Sequence, residues 1–156
     1  MHLTRFTDQS LRCLMQLARS PGDTPTISEL ASQTGLTDDI VLKVVSRLME
    51  LGYVTTIRGR AGGVRLKRSP ADIRLGALVT ETETNMNLVS CFKMEDTPCP
   101  LAPGCHLAGV LSEALAAFLT VLDRCTLQDM LGESVVRMSH APGQSGPLST
   151  SLSSTA

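Results

Sequence analysis

Leu11, Leu14, Met15 and Ala18 follow one another at helical spacing, and the pattern predicts a helix over residues 4–19 that Pro21-Gly22 ends. The next stretch, TISELASQTG, opens with Thr26 and Glu29 three residues apart. That is the arrangement of a capping box, in which hydroxyl and carboxylate satisfy free amides of the first turn. Ile27, Leu30 and Ala31 give this second, short helix an apolar face, and Gly35 suits the left-handed position that closes it. Thr37 can cap a third helix running to about Glu50, with Val41, Val44, Val45 and Leu48 inward and Gly52 after its end. Two helices joined by a tight glycine-containing turn make a helix-turn-helix, although an ordinary helical hairpin shares the pattern.

The period then changes from helix to strand. YVTTIRGRAGGVRLKR alternates as a β-hairpin, with Tyr53, Val54 and Ile57 on one side, Val64 and Leu66 on the other, and Gly59, Gly62 and Gly63 at the turn. It carries Arg58, Arg60, Arg65, Lys67 and Arg68 and no acid. A helix-turn-helix followed by a basic hairpin is the winged-helix arrangement, with the third helix in the major groove and the wing on backbone or minor groove. A solvated, functionless charged hairpin is the plainer alternative. Candidate DNA contacts are Ser28, Thr37, Lys43 and Arg47 on the helices and Arg58, Arg60, Gly62, Gly63 and Arg65 on the wing. Asp38 and Asp39 open the third helix, where phosphate would repel them. Stabilisation of the helix dipole is the favoured reading there, and acceptance from a cytosine amine the alternative.

Ser69-Pro70-Ala71-Asp72 reads as another helix start, and Ile73, Ala77 and Leu78 carry that helix to about Glu83. After a cysteine-bearing stretch comes HLAGVLSEALAAFLTVLDRC, with Leu107, Leu111, Ala114, Leu115, Phe118 and Leu122 along it. A small winged-helix domain cannot bury so long a stripe, so a second copy of the same helix is its expected cover. Thr126 and Asp129 start a short last helix, and the Ser/Pro/Gly-rich residues 138–156 are expected to be disordered. The expected fold is mainly α: a winged helix-turn-helix over 1–70 with a small β-hairpin wing, and a connecting helix within 71–90. A cysteine loop over 91–105 and a long dimerisation helix with the last short helix over 105–137 complete it.

Composition sharpens this picture in two places. The chain has 156 residues, 42% hydrophobic but only 3% aromatic and without tryptophan, so Leu, Val, Ile, Ala and Met must build the core. Net charge is −1, yet residues 1–70 hold ten Lys/Arg against six Asp/Glu, and residues 71–156 four against nine. The first half suits a polyanion and the second does not. The start lacks the continuous apolar region of a signal peptide, and no run approaches the ~18 apolar residues of a membrane span, so a cytoplasmic protein is expected.

In a reducing compartment five cysteines, at 13, 91, 99, 105 and 125, are poor candidates for disulfides. Cys13 and Cys125 lie on apolar stripes and read as core. Cys91, Cys99 and Cys105 lie in CFKMEDTPCPLAPGC at a spacing too wide for the paired ligands of a structural zinc site. An iron–sulfur cluster tolerates wider spacing, and prolines 98, 100 and 103 stiffen the loop. Cys105 would sit at a helix N-terminus, which favours thiolate. Three inert thiols remain the alternative.

Taken together, LTRFTDQSLRCLMQLA, ISELA, LKVVSRLMELGYVTTIRGRAGGVRL, IRLGALV, LVSCF, CPLAPGC and AAFLTVLDRCTLQDM resemble the IscR/NsrR family of bacterial winged-helix iron–sulfur regulators over residues 1–131. LVSCF and FLTVLDRCTL are most similar to its nitric-oxide-sensing repressors. The resemblance implies a homodimer on operator DNA, one cluster per subunit bound by Cys91, Cys99 and Cys105, and repression relieved by nitric oxide. It favours [4Fe-4S] over [2Fe-2S]. A histidine that serves as fourth ligand in some members falls here at Ala108, and His106 is out of place for it. Asp8 from the partner subunit is the better candidate, steadied by Arg12, and a simple i,i+4 ion pair between the two is the alternative. Close members usually carry Asn-His where this chain has Asp39-Ile40, a departure that puts in doubt whether the same DNA sequence is read. A regulator sensing iron–sulfur supply or redox state, a metal-free DNA-binding protein, and a thiol redox enzyme are the competing readings, the last without a C-x-x-C or an activating base.

Overall fold

The computed structural model describes residues 2–59, 62–89, 92, 99 and 105–132. Three helices, α1 (Arg5–Arg19), α2 (Ile27–Thr34) and α3 (Asp38–Glu50), precede a hairpin of β1 (Val54–Thr56) and β2 (Val64–Leu66). A 3-10 turn (Pro70–Asp72), α4 (Leu75–Thr82), α5 (His106–Asp123) and a 3-10 turn (Asp129–Leu131) follow. The strands are antiparallel, with Val54 opposite Leu66 and Thr56 opposite Val64. This is a mainly helical winged-helix fold.

The core is the one the apolar spacing predicts. Leu14 and Leu17 of α1, Leu30 and Ala31 of α2, Val41, Val44, Val45 and Leu48 of α3, and Val54 and Val64 of the hairpin are all buried together. Cys13 is fully buried among them, and burial pushes its thiol up to about 11. The capping box of α2 forms as expected: Thr26 N donates to Glu29 Oε2 at 2.8 Å, Glu29 N donates to Thr26 Oγ1 at 3.3 Å, and Gly35 closes the helix at φ 69°. Thr37 occupies the N-cap of α3, but its side chain makes no capping bond.

Three expectations are corrected. The helix read from Ser69 to Glu83 is two pieces, because Ile73 and Arg74 leave the helix to pair with the chain returning from α5. Leu127 N donates to Ile73 O at 2.8 Å, Leu75 N to Cys125 O at 3.0 Å, and Arg74 bridges Thr126. That return inserts Leu127 into the core and leaves Cys125 half-buried in a turn beyond the end of α5, not on its stripe. The stripe itself divides. Leu111, Leu115, Phe118 and Leu122 are half-buried, and α5 packs on α4. Leu107 (63% exposed), Val110 (62%), Ala114, Ala117 and Val121 (57%) face away at alternating steps of three and four. By length and composition alone α5, at 18 residues and a mean hydropathy of 1.4, is apolar enough to cross a membrane, but Glu113 and Asp123 interrupt it, so it is not a continuous apolar run. Residues 138–156 lie outside the described residues.

Polar contacts at both ends of α4 tie it to the rest. Thr4, the N-cap of α1, donates from its backbone N to Glu83 Oε1 at 2.8 Å and from its hydroxyl at 3.2 Å. The end of α5 comes so close to α4 that a Cβ at Gly76 would overlap the Asp123 carboxylate. Arg74 donates to Asp123 O at 2.8 Å beside it.

Candidate nucleic-acid interface and metal centre

The helix-turn-helix presents one polar face. Asp38, Asp39, Leu42, Lys43, Ser46 and Arg47 are exposed along α3, opposite its buried valines. The Ser28 hydroxyl, in the first turn of α2, donates to the Asp38 carboxylate and so pins the start of α3 to α2. Arg47 is shared with Glu50 at 2.9 Å, both exposed, while Lys43 makes no ion pair among the described residues. Sequence reasoning placed these polar residues but missed Leu42, 55% exposed in their midst, since periodicity counts an apolar residue as core.

The wing is held by its own backbone and by the loop before α2. Ile57 N donates to Gly63 O at 2.8 Å, Gly63 N to Ile57 O at 3.1 Å, and Gly62 N to Gly59 O at 2.9 Å. Val64 N donates to Pro25 O at 2.8 Å. A Cβ on Gly63 would overlap the carbonyls of Thr24 and Pro25, and one on Gly62 would overlap Ile57 O. These glycines are therefore required by the fold itself, apart from any part they have as candidate DNA contacts. Arg58 and Arg65 are exposed; Arg60 lies outside the described residues. Arg68 is turned back, donating to Leu51 O at 3.1 Å with its guanidinium 4.6 Å from the centre of the Tyr53 ring.

At the far end, Cys105 is the N-cap of α5, and its thiol makes no capping bond. Cys99 and Cys105 are both half-buried, whereas Cys91 and most of the loop lie outside the described residues. Among the described residues no three His, Cys, Asp or Glu side chains gather around one point. His106, at the first position of α5, is exposed. Asp8 pairs with Arg12 at 2.9 Å, and both side chains are about half exposed (52% and 55%), so the i,i+4 ion pair exists and the carboxylate still faces solvent. The donor set, thiols of one loop with one at a helix N-terminus and an accessible carboxylate elsewhere, fits an iron–sulfur cluster, which prefers thiolates.

The family described as Rrf2, iron-dependent transcriptional regulator, matches residues 3–133, a span that takes in helix-turn-helix, wing, cysteine loop and α5. The chain belongs to the Rrf2 family. Among its relatives, the HTH-type transcriptional regulator NsrR of Bacillus subtilis (strain 168) is 46% identical over 132 residues, 84% of this chain and 90% of that one. NsrR of Halalkalibacterium halodurans is 45% identical over the same shares. Two solved Rrf2-like folds are T. potens IscR, with a TM-score of 0.67 at 23% identity over 84% of this chain and 86% of that one, and CymR, the global cysteine regulator of B. subtilis. CymR has a TM-score of 0.69 at 21% identity over 84% of this chain and 96% of that one. These two speak for the fold. Rrf2 membership makes the chain a DNA-binding transcription regulator and not an enzyme, which removes the thiol redox reading.

Proposed function

We propose that the chain is a homodimeric, cytoplasmic transcriptional repressor that senses nitric oxide through an iron–sulfur cluster whose nitrosylation releases DNA. The observation that carries this reading is the 46% identity to a relative named NsrR, together with a family match whose span includes Asp8, Cys91, Cys99 and Cys105. These cysteines would hold one [4Fe-4S] cluster per subunit, in preference to [2Fe-2S], with the partner subunit's Asp8 as fourth ligand. When bound, the cluster supplies an iron with one weak ligand, open to a small diatomic molecule.

The chain's own residues divide the remaining work. Arg12 steadies the Asp8 carboxylate, and Glu83 fixes the first turn of α1, in which Asp8 lies. Lys43 and Arg47 of α3 and Thr37 at its N-cap face the major groove, and Arg58, Arg60 and Arg65 carry the wing to phosphate. Gly62 and Gly63, whose amides are taken by Gly59 O and Ile57 O, serve by leaving the wing without side chains where it meets DNA. Ser28 spends its hydroxyl proton on Asp38, so its contact to phosphate runs through its backbone amide. The outward seam of Leu107, Val110, Ala114, Ala117 and Val121 packs on its copy, with the alanines allowing close approach.

The test is isolation without air, with iron and sulfide counts and an EPR spectrum, followed by nitric oxide titration and measurement of operator affinity. Loss of affinity on nitrosylation is expected; unchanged affinity removes the nitric oxide reading. A colourless, iron-free protein that binds DNA normally removes the cluster as well.

A further inference from the structure

Leu42 is 55% exposed on α3, whereas Val41, Val44, Val45 and Leu48 around it are buried. The fold gains nothing from an apolar side chain at that position, where any polar helix former would serve equally well. Leu42 stands three residues after Asp39 and four before Ser46, so the three side chains share one ridge of the helix. Asp39 is also distinct from its neighbour. Ser28 holds Asp38, but Asp39 makes no hydrogen bond or ion pair among the described residues.

The major groove offers few partners to such a pair. Its one apolar feature is the 5-methyl group of thymine, and its donors are the amines of cytosine and adenine. A carboxylate accepts from those amines and is repelled by the acceptor edge of guanine and by thymine O4. Residues three apart on a helix are separated by ~4.5 Å along its axis, comparable to the ~3.4 Å step between bases of one strand.

We propose that Asp39 and Leu42 are a specificity-determining pair: Leu42 covers a thymine methyl, and Asp39 accepts from the amine of an adjacent base and excludes guanine there. This rests on the proposed placement of α3 in the major groove. The pair accounts for an acidic and an apolar residue on a face otherwise suited to phosphate. It also makes the operator read by this chain differ from that of any relative with other residues at these two positions.

The experiment uses full-length protein isolated without air to enrich duplexes from a randomised DNA pool. The best duplex is then resynthesised with each thymine in turn replaced by deoxyuridine, which removes the methyl group alone. One thymine per half-site should lower wild-type affinity about fourfold when replaced, the value of one buried methyl group. Leu42→Ala, at an exposed position where the helix is kept, should be indifferent to that replacement. Asp39→Ala should accept guanine at the neighbouring position, which the wild type rejects. If wild type and Leu42→Ala bind the enriched duplex but respond alike to every deoxyuridine, the pair is overturned while α3 remains the reading helix. If the protein enriches no duplex, the placement of α3 and the pair fall together.

Discussion

The Tyr53 hydroxyl donates to Glu81 Oε2 at 2.7 Å, joining the start of the wing to α4. Tyr53 is buried, and Arg68 lies over its ring. The wing is therefore carried by three elements: the loop before α2, through Val64 and Pro25; α3, which runs directly into it; and α4, through this bond.

Removing that hydroxyl as Tyr53→Phe should lower stability by about 1 kcal/mol, the usual worth of such a bond, read from urea unfolding. Burial and then the Glu81 hydrogen bond raise the Tyr53 phenol above its ordinary value. A raised folded value means that the contribution is complete below the unfolded tyrosine value of about 10 and is lost as pH rises beyond it. As Tyr53 is the only tyrosine, phenolate absorbance during an alkaline titration reports it alone, and phenolate should appear only together with unfolding.

Gly63→Ala and Gly76→Ala should differ in severity. A Cβ at Gly63 meets the backbone carbonyls of Thr24 and Pro25, which cannot move without dragging the wing anchor. At Gly76 the obstacle is first the Asp123 carboxylate, a side chain able to turn away. Overpacking of the rigid site should cost about 3 kcal/mol and of the softer one about 1 kcal/mol, measured by urea unfolding of each variant.

Much of this architecture was legible from spacing alone. Thr26 and Glu29, three apart before an apolar run, form the capping box that their order predicts, because that motif is satisfied entirely by local atoms. Ile73 and Arg74 were misread for the opposite reason. Their break from helix is imposed by a partner about fifty residues away, to which local periodicity is blind. The same limit applies to α5, whose apolar residues were all visible while the division into a face on α4 and a face outward required α4's position. Of the candidate site, residue types were legible and engagements were not. Nothing local shows that Arg68 turns back to Leu51, or that Ser28 holds Asp38.

Acid should reach two caps in particular. Backbone and then side-chain hydrogen bonds from Thr26 hold the Glu29 carboxyl below its usual range, and the same bonds from Thr126 do so for Asp129. A lowered folded value means a contribution that is present above the unfolded carboxylate range of about 4 and lost as pH falls through the folded value. Glu29→Gln with Asp129→Asn should thus be less stable than wild type near neutrality. The difference should vanish at the acid end of a pH series of thermal melts.

Arg65 and Arg68 are both basic wing residues, but their surroundings predict different losses. Arg65 is exposed on β2, so Arg65→Ala should leave stability unchanged and reduce the slope of log affinity against log salt by about 1 per bound subunit, the signature of one lost phosphate contact in each. Arg68 is engaged with Leu51 O and the Tyr53 ring, so Arg68→Ala should lower stability by about 1 kcal/mol and leave the salt slope unchanged. Fluorescence anisotropy of labelled duplex over a salt series, with urea unfolding alongside, separates the two.

The outward face of α5 makes the last prediction. Leu107, Val110 and Val121 are each more than half exposed there, with only Ala114 and Ala117 between, a seam narrow enough for two helices to approach closely. Glu113 is exposed but off that seam. In the proposed homodimer Val110→Glu would bring a carboxylate from each copy into an apolar contact, losing burial on both sides and adding repulsion between desolvated like charges. The dimer dissociation constant should rise by about a hundredfold or more, read by sedimentation equilibrium, with helix content by circular dichroism preserved. Glu113→Gln, a change of similar size beside the seam, should leave association as it is. If Val110→Glu sediments as the wild type does, the copies meet through another surface, and the alternating apolar positions of α5 need a different partner.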